Sequence, residues 1–88
     1  MDKYAFDYTL LPEIDDIIFN DACIKINKQF GYMKKEKGLV NIDSAFIQVF
    51  EDDNNEIIVF NDYDVGAVYV KSTVNLDELF PNKRTHKF

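Results

Sequence analysis

"AFIQVFEDDNNEIIVFNDYDVGAVYVKS" occupies residues 45–72, and its reading decides the fold. Three apolar blocks, "AFIQVF" (45–50), "EIIVF" (56–60) and "VGAVYVKS" (65–72), are separated by Asp- and Asn-rich runs. β-Branched and aromatic residues suit strands, and Asn tolerates the positive φ of tight hairpin turns. The spacing predicts a three-stranded antiparallel meander. With Asn54-Asn55 as a two-residue turn, Val49 pairs with Phe60 and Glu51 with Ile58. One face then carries Ala45, Ile47, Val49, Ile58 and Phe60. The other carries Phe46, Phe50, Ile57 and Val59. Both faces are apolar, so both need cover.

A helix can cover one face; the N-terminal aromatic strand, the C-terminal turn or a second molecule must cover much of the other. "KYAFDYTL" alternates, with Tyr4, Phe6, Tyr8 and Leu10 on one face, the period of a half-buried strand. "LPEIDDIIFNDACIKINKQFG" reads as a helix starting near Pro12 and stopping at Gly31. Glu13, Asp15 and Asp16 suit the positive end of its dipole. Ile14, Ile18, Ala22, Ile26 and Phe30, with Ile17 beside them, give it one apolar stripe. A rival reading has "ACIKIN" as a strand after a turn at Asn20-Asp21. "GYMKKEKG" (31–38), with its basic Lys34–Lys37 run, reads as an exposed loop, and "LVNIDS" (39–44) as a short extended lead-in. "NLDELF" (75–80) fits one helical turn capped by Asn75 and ended by Pro81. The expected organisation is one α+β domain over residues 1–80: strand, helix, three-stranded meander, short helical turn. Residues 81–88, with basic Lys83 to Lys87, are expected to be a mobile tail.

The chain has 88 residues, of which 47% are hydrophobic and 15% aromatic, a globular composition. The N-terminal "MDKYAFDYTL" has no apolar run like a signal peptide's, and no apolar run is long enough to span a bilayer. Cys23 is the only cysteine, so no internal disulfide forms, and a cytoplasmic setting is the simpler expectation.

Chemistry-bearing patterns are thin. His86 is the only histidine, so Cys23 and His86 alone cannot build a zinc site. As a nucleophile and base they would have to meet across a helix and a tail, and a structural Cys23 is the stronger reading. Asp52, Asn54 and Glu56 alternate like calcium ligands, but Ile57 and Tyr63 stand where an EF-hand needs Gly and Glu. Three scattered glycines make no phosphate loop. Basic "KKEK" and "NKRTHK" lie near Tyr32 and Phe88, a weak nucleic-acid signal against an acidic whole. No cofactor, metal or catalytic residue is expected.

The informative signal is charge. The net charge is −6. Residues 1–24 hold six acids and one Lys, whereas residues 25–38 hold five Lys and one Glu. Residues 39–70 hold seven acids and no base, and residues 71–88 hold four bases and two acids. Such a field disfavours nucleic acid and anionic membranes and favours a basic protein. Glu51, Asp52, Asp53 and Glu56, with Asp62 and Asp64 in the next turn and Asp15 and Asp16 upstream, are the expected partner-binding residues. In size, acidity and lack of a catalytic signature, the chain is similar to small acidic inhibitors encoded by phages and mobile elements. Those include anti-restriction and anti-CRISPR proteins; the likeness rests on no aligned residues. Immunity proteins that neutralise basic nucleases belong to the same physical class. The expectation is a non-enzymatic inhibitor whose acidic surface imitates nucleic acid and blocks a basic nucleic-acid-binding protein or nuclease. The alternatives are an assembly protein that homodimerises through an apolar sheet face, and a small-ligand or metal binder.

Overall fold

A computed structural model describes residues 4–41 and 45–85, with side chains not described over 36–41. Its elements are β1 (Phe6–Leu11), α1 (Asp16–Gln29), β2 (Lys34–Asn41), β3 (Ala45–Glu51), β4 (Glu56–Asp62) and β5 (Ala67–Ser72). The five strands form one antiparallel sheet in the order β1-β5-β4-β3-β2. This is a small α+β domain with its one described helix on one sheet face.

The meander therefore has four strands. The segment expected as a basic loop, Lys34–Lys37, is instead the start of β2, where Lys34 stands opposite Glu51 and Lys35 opposite Phe50. Lysines are at home on an edge strand because they discourage further pairing, and their lack of apolar alternation disguised the strand. The β3–β4 pairing also differs from the expected register. Val49 pairs with Ile58, and Glu51 with Glu56, across a four-residue loop rather than a two-residue turn. Asp52 dictates that loop: its Oδ1 accepts the Asn54 and Asn55 N–H groups at 2.8 and 2.7 Å. Because side chains alternate, a slip of two residues leaves the partition of faces intact.

The helix starts later than Pro12. Asp15 is the N-cap, and its carboxylate accepts the Ile17 and Ile18 N–H groups at 2.8 and 3.0 Å. The buried stripe is Phe19, Ala22 and Ile26, with Ile18, Cys23 and Phe30 packed partly against the core. Ile14, expected on that stripe, precedes the helix, and Ile17 falls on the side of the helix away from Phe19, Ala22 and Ile26, so both are exposed. The core between helix and sheet includes Tyr8, Phe50, Ile57, Val59, Val68, Val70, Leu76 and Phe80.

After β5, Asn75 Oδ1 accepts the Asp77 N–H at 2.8 Å, and Leu76 O accepts from Leu79 and Phe80. This is a hydrogen-bonded turn and not a helix, since it stops after one set of bonds. The next residues lie within the expected mobile tail, yet they run along the outer edge of β1. Thr9 N–H donates to Lys83 O and Thr85 N–H to Asp7 O, at 2.9 and 2.7 Å. The anchor is Tyr8. Its buried hydroxyl donates to Asp77 at 2.7 Å and accepts the Leu76 N–H at 2.7 Å. Arg84 closes the network with two hydrogen bonds to Asp77, 3.1 and 2.7 Å long, and lies 5.0 Å from the Phe6 ring centre.

The second sheet face carries no helix among the described residues. Val49, Ile58, Phe60 and Tyr69 are half-buried there, and the Phe60 and Tyr69 rings stack 4.5 Å apart. The Tyr69 hydroxyl donates to Asp62 at 2.8 Å.

Tyr8→Phe removes a donor and strands the buried Leu76 N–H, so urea denaturation is expected to show a loss of about 1–3 kcal/mol. Gly66 has φ +74° in the β4–β5 turn, so Gly66→Ala is expected to destabilise despite open space around it. Burial, then the Asp77 contact, raises the Tyr8 phenol above its ordinary 10.0. Burial and Asp62 raise Tyr69 likewise. Raised acids stabilise the fold fully below pH 10.0 and lose that contribution as pH climbs through their folded values. Asp77 is held below its ordinary 3.8 by the Tyr8 hydroxyl and then Arg84, so its contribution is full above 3.8 and is lost as pH falls from there through the lowered value. A pH series of thermal melts is expected to show both losses, with the alkaline one shallower in Tyr69→Phe.

Candidate protein-docking surface

The eight acids singled out from the sequence lie at two opposite ends of β4. Glu51, Asp52, Asp53 and Glu56 gather around the β3–β4 loop. Glu51 and Glu56 stand directly opposite each other, a like-charge pairing that costs stability. Glu56 accepts the Tyr4 hydroxyl, and its N–H donates to Thr73 Oγ1 at 2.9 Å. Asp52 and Asp53 are exposed.

Asp15, Asp16, Asp62 and Asp64 gather at the other end, where the helix begins above the β4–β5 turn. Asn61 joins these two pieces. It is fully buried, accepts the Asp15 N–H at 3.2 Å, and donates to Asp16 Oδ1 at 2.9 Å. Asp62 Oδ1 accepts the Asp64 and Val65 N–H groups at 3.0 and 3.1 Å. The Asp15, Asp52 and Asp62 carboxylates thus shape the backbone, while Asp53 and Asp64 project outward.

Charge is sorted by geometry. Acids mark both ends of the strands, while bases mark the two sheet edges, Lys34 and Lys35 on β2 and Lys83 and Arg84 beside β1. Among the described residues, no three His, Cys, Asp or Glu side chains are placed to hold a metal ion. Cys23 is half-buried and packed against the core, and His86 lies outside the described residues. No helix among the described residues is long and apolar enough to cross a membrane.

Sequence reasoning missed an apolar component. Ile14, Ile17, Phe46, Tyr63 and Val65 are exposed, and all lie around the Asn61 end. Phe46 is the cross-strand partner of Asn61, and its ring meets that of Tyr63 edge-on at 6.1 Å. Neither helix nor strand patterning marks these residues, because the sequence is apolar on both sides of each element.

Asn61→Leu keeps the branched side-chain shape, with somewhat greater bulk, but strips both bonds to the helix start. It is expected to cost about 1–3 kcal/mol in urea titrations and to raise amide exchange at residues 17–20. Asp15→Ala is expected to cost about 1 kcal/mol as a lost N-cap, whereas Asp53→Ala should fall within about 0.5 kcal/mol of zero. Comparison with protein-family models, with curated proteins and with solved structures gave no match.

Proposed function

We propose that this protein is a non-enzymatic, cytoplasmic binding module that docks on a basic nucleic-acid-binding protein, such as a nuclease, and blocks its access to nucleic acid. The observation that carries this reading is the run of residues 39–70, with seven acids and no base. The strands inside that run lift its turn acids to the two ends of a hydrogen-bonded sheet. Carboxylates held on such a mount need little ordering on contact, which favours fast, salt-sensitive association.

Immobilised protein is expected to capture a basic protein from a host lysate at low salt and release it at high salt. The purified partner should then lose nucleic-acid binding as this protein is added. A partner that binds nucleic acid and this protein simultaneously would refute the inhibitory reading.

The half-buried Val49, Ile58, Phe60 and Tyr69 on the helix-free face favour a second reading, homodimerisation through that face. Light scattering that finds a strict monomer at micromolar concentration would remove it.

A further inference from the structure

We propose that the two acidic ends are not equivalent. The Asn61 end is the docking surface, and its occupant is a protein surface with an apolar centre ringed by Lys and Arg. This deepens the reading above and rests on it.

The two ends carry similar acids but differ in what lies between them. Seven large apolar side chains are exposed among the described residues, and five surround the Asn61 end: Ile14, Ile17, Phe46, Tyr63 and Val65. Ile17 and Val65 are 78% and 65% exposed, far more than packing in a monomer requires. The loop at residues 52–55 displays no large apolar side chain at all. Apolar anchors surrounded by a polar rim are the anatomy of an energetic hot spot, whereas a purely acidic loop contributes mainly to encounter rate.

The patch is also preorganised. Asn61 pins the helix start to β4, Asp62 pins the turn through Asp64 and Val65, and the Tyr69 hydroxyl pins Asp62. Little conformational entropy is left to lose on docking. Charge selects the occupant. Residues 11–24, 45–49 and 58–70, which build this end, contain no Lys or Arg. A second copy would bring Asp16, Asp62 and Asp64 against themselves, and an anionic lipid or nucleic acid would meet the same repulsion. A basic surface relieves it, and apolar side chains at its centre would cover Ile17 and Val65.

Two probe peptides separate the claims by amide chemical-shift mapping of the labelled protein. Oligolysine supplies charge alone; a short amphipathic Leu/Lys peptide supplies charge with an apolar face. Oligolysine is expected to move both acidic ends weakly. The Leu/Lys peptide is expected to bind more tightly and to move residues 14–17, 46 and 61–65 but not 52–55. The double change Ile17→Ser with Val65→Ser should weaken the Leu/Lys peptide about tenfold and leave oligolysine unaffected. Asp64→Lys should weaken the Leu/Lys peptide more than Asp53→Lys does. All four positions are exposed, so folding is expected to survive, which the spectra themselves report. If both peptides move the two ends equally, the inference fails while the basic-partner reading stands. If neither peptide binds, that reading fails as well. If the free protein is a dimer that Val65→Ser makes monomeric, the occupant is a second copy and the proposal is overturned.

Discussion

A single buried amide holds the start of the helix to the sheet. Asn61 sits on a sheet face packed mostly with apolar side chains, with Gln48 and Ser72 the other buried polar residues there, and its two hydrogen bonds reach the helix start. An amide in such a place is tolerable only if both its donor and acceptor sides are satisfied. The helix start is therefore fixed in one position over β4 and cannot slide as a purely greasy contact could. The cap at Asp15, the outward aim of Ile14 and Ile17, and the nearness of the β4–β5 turn all follow from that placement.

The charge layout follows from the sheet itself. Antiparallel strands put turns at their ends and leave two lateral edges, and the chain assigns acids to the former and lysines to the latter. The lysines on β2 guard an edge that could otherwise recruit another strand. The opposite edge needs no such guard, because residues 83–85 already lie along β1. Of the acids at the ends, Glu51, Glu56 and Asp62 also pair within strands, while Asp52, Asp53 and Asp64 are left facing water.

The sequence made the α+β class and the three strands of residues 45–72 legible through their apolar blocks. The division of their faces was legible too, even with the register two residues out, because alternation survives an even slip. β2 was hidden because Lys34, Lys35 and Lys37 follow one another without an apolar partner between them, and an edge strand needs little burial. The helix start was misplaced because Pro12 offered a familiar signal, while Asp15 won through two backbone bonds. The acids of the candidate surface were visible as composition. The division of Glu51–Glu56 and Asp62–Asp64 between consecutive turns was legible too, but the end that Asp15 and Asp16 join was not, since it depends on where the helix crosses the sheet. Nor was the exposure of Ile17 and Phe46, because apolar residues occupy both sides of their elements. The buried role of Tyr8 was partly visible in its alternation. Its tie to Asp77 and Arg84 links residues too far apart in sequence for any local pattern to reveal.

The placement of β1 has a bearing on how the chain acquires its shape during translation. Among the described strands β1 is made before the other four, yet the strand it pairs with is β5, the last of the five. Until residues 67–72 emerge, Tyr8, Leu10 and the buried stripe of the helix have only part of the sheet to rest on. Closure then waits further, for Leu76, Asp77 and Arg84 to engage the Tyr8 hydroxyl. A fold that joins its early and late segments in this way cannot be completed vectorially. Until residues 67–84 emerge, the aromatic side chains of β1 lack their partners, and long-range closure of this kind slows folding.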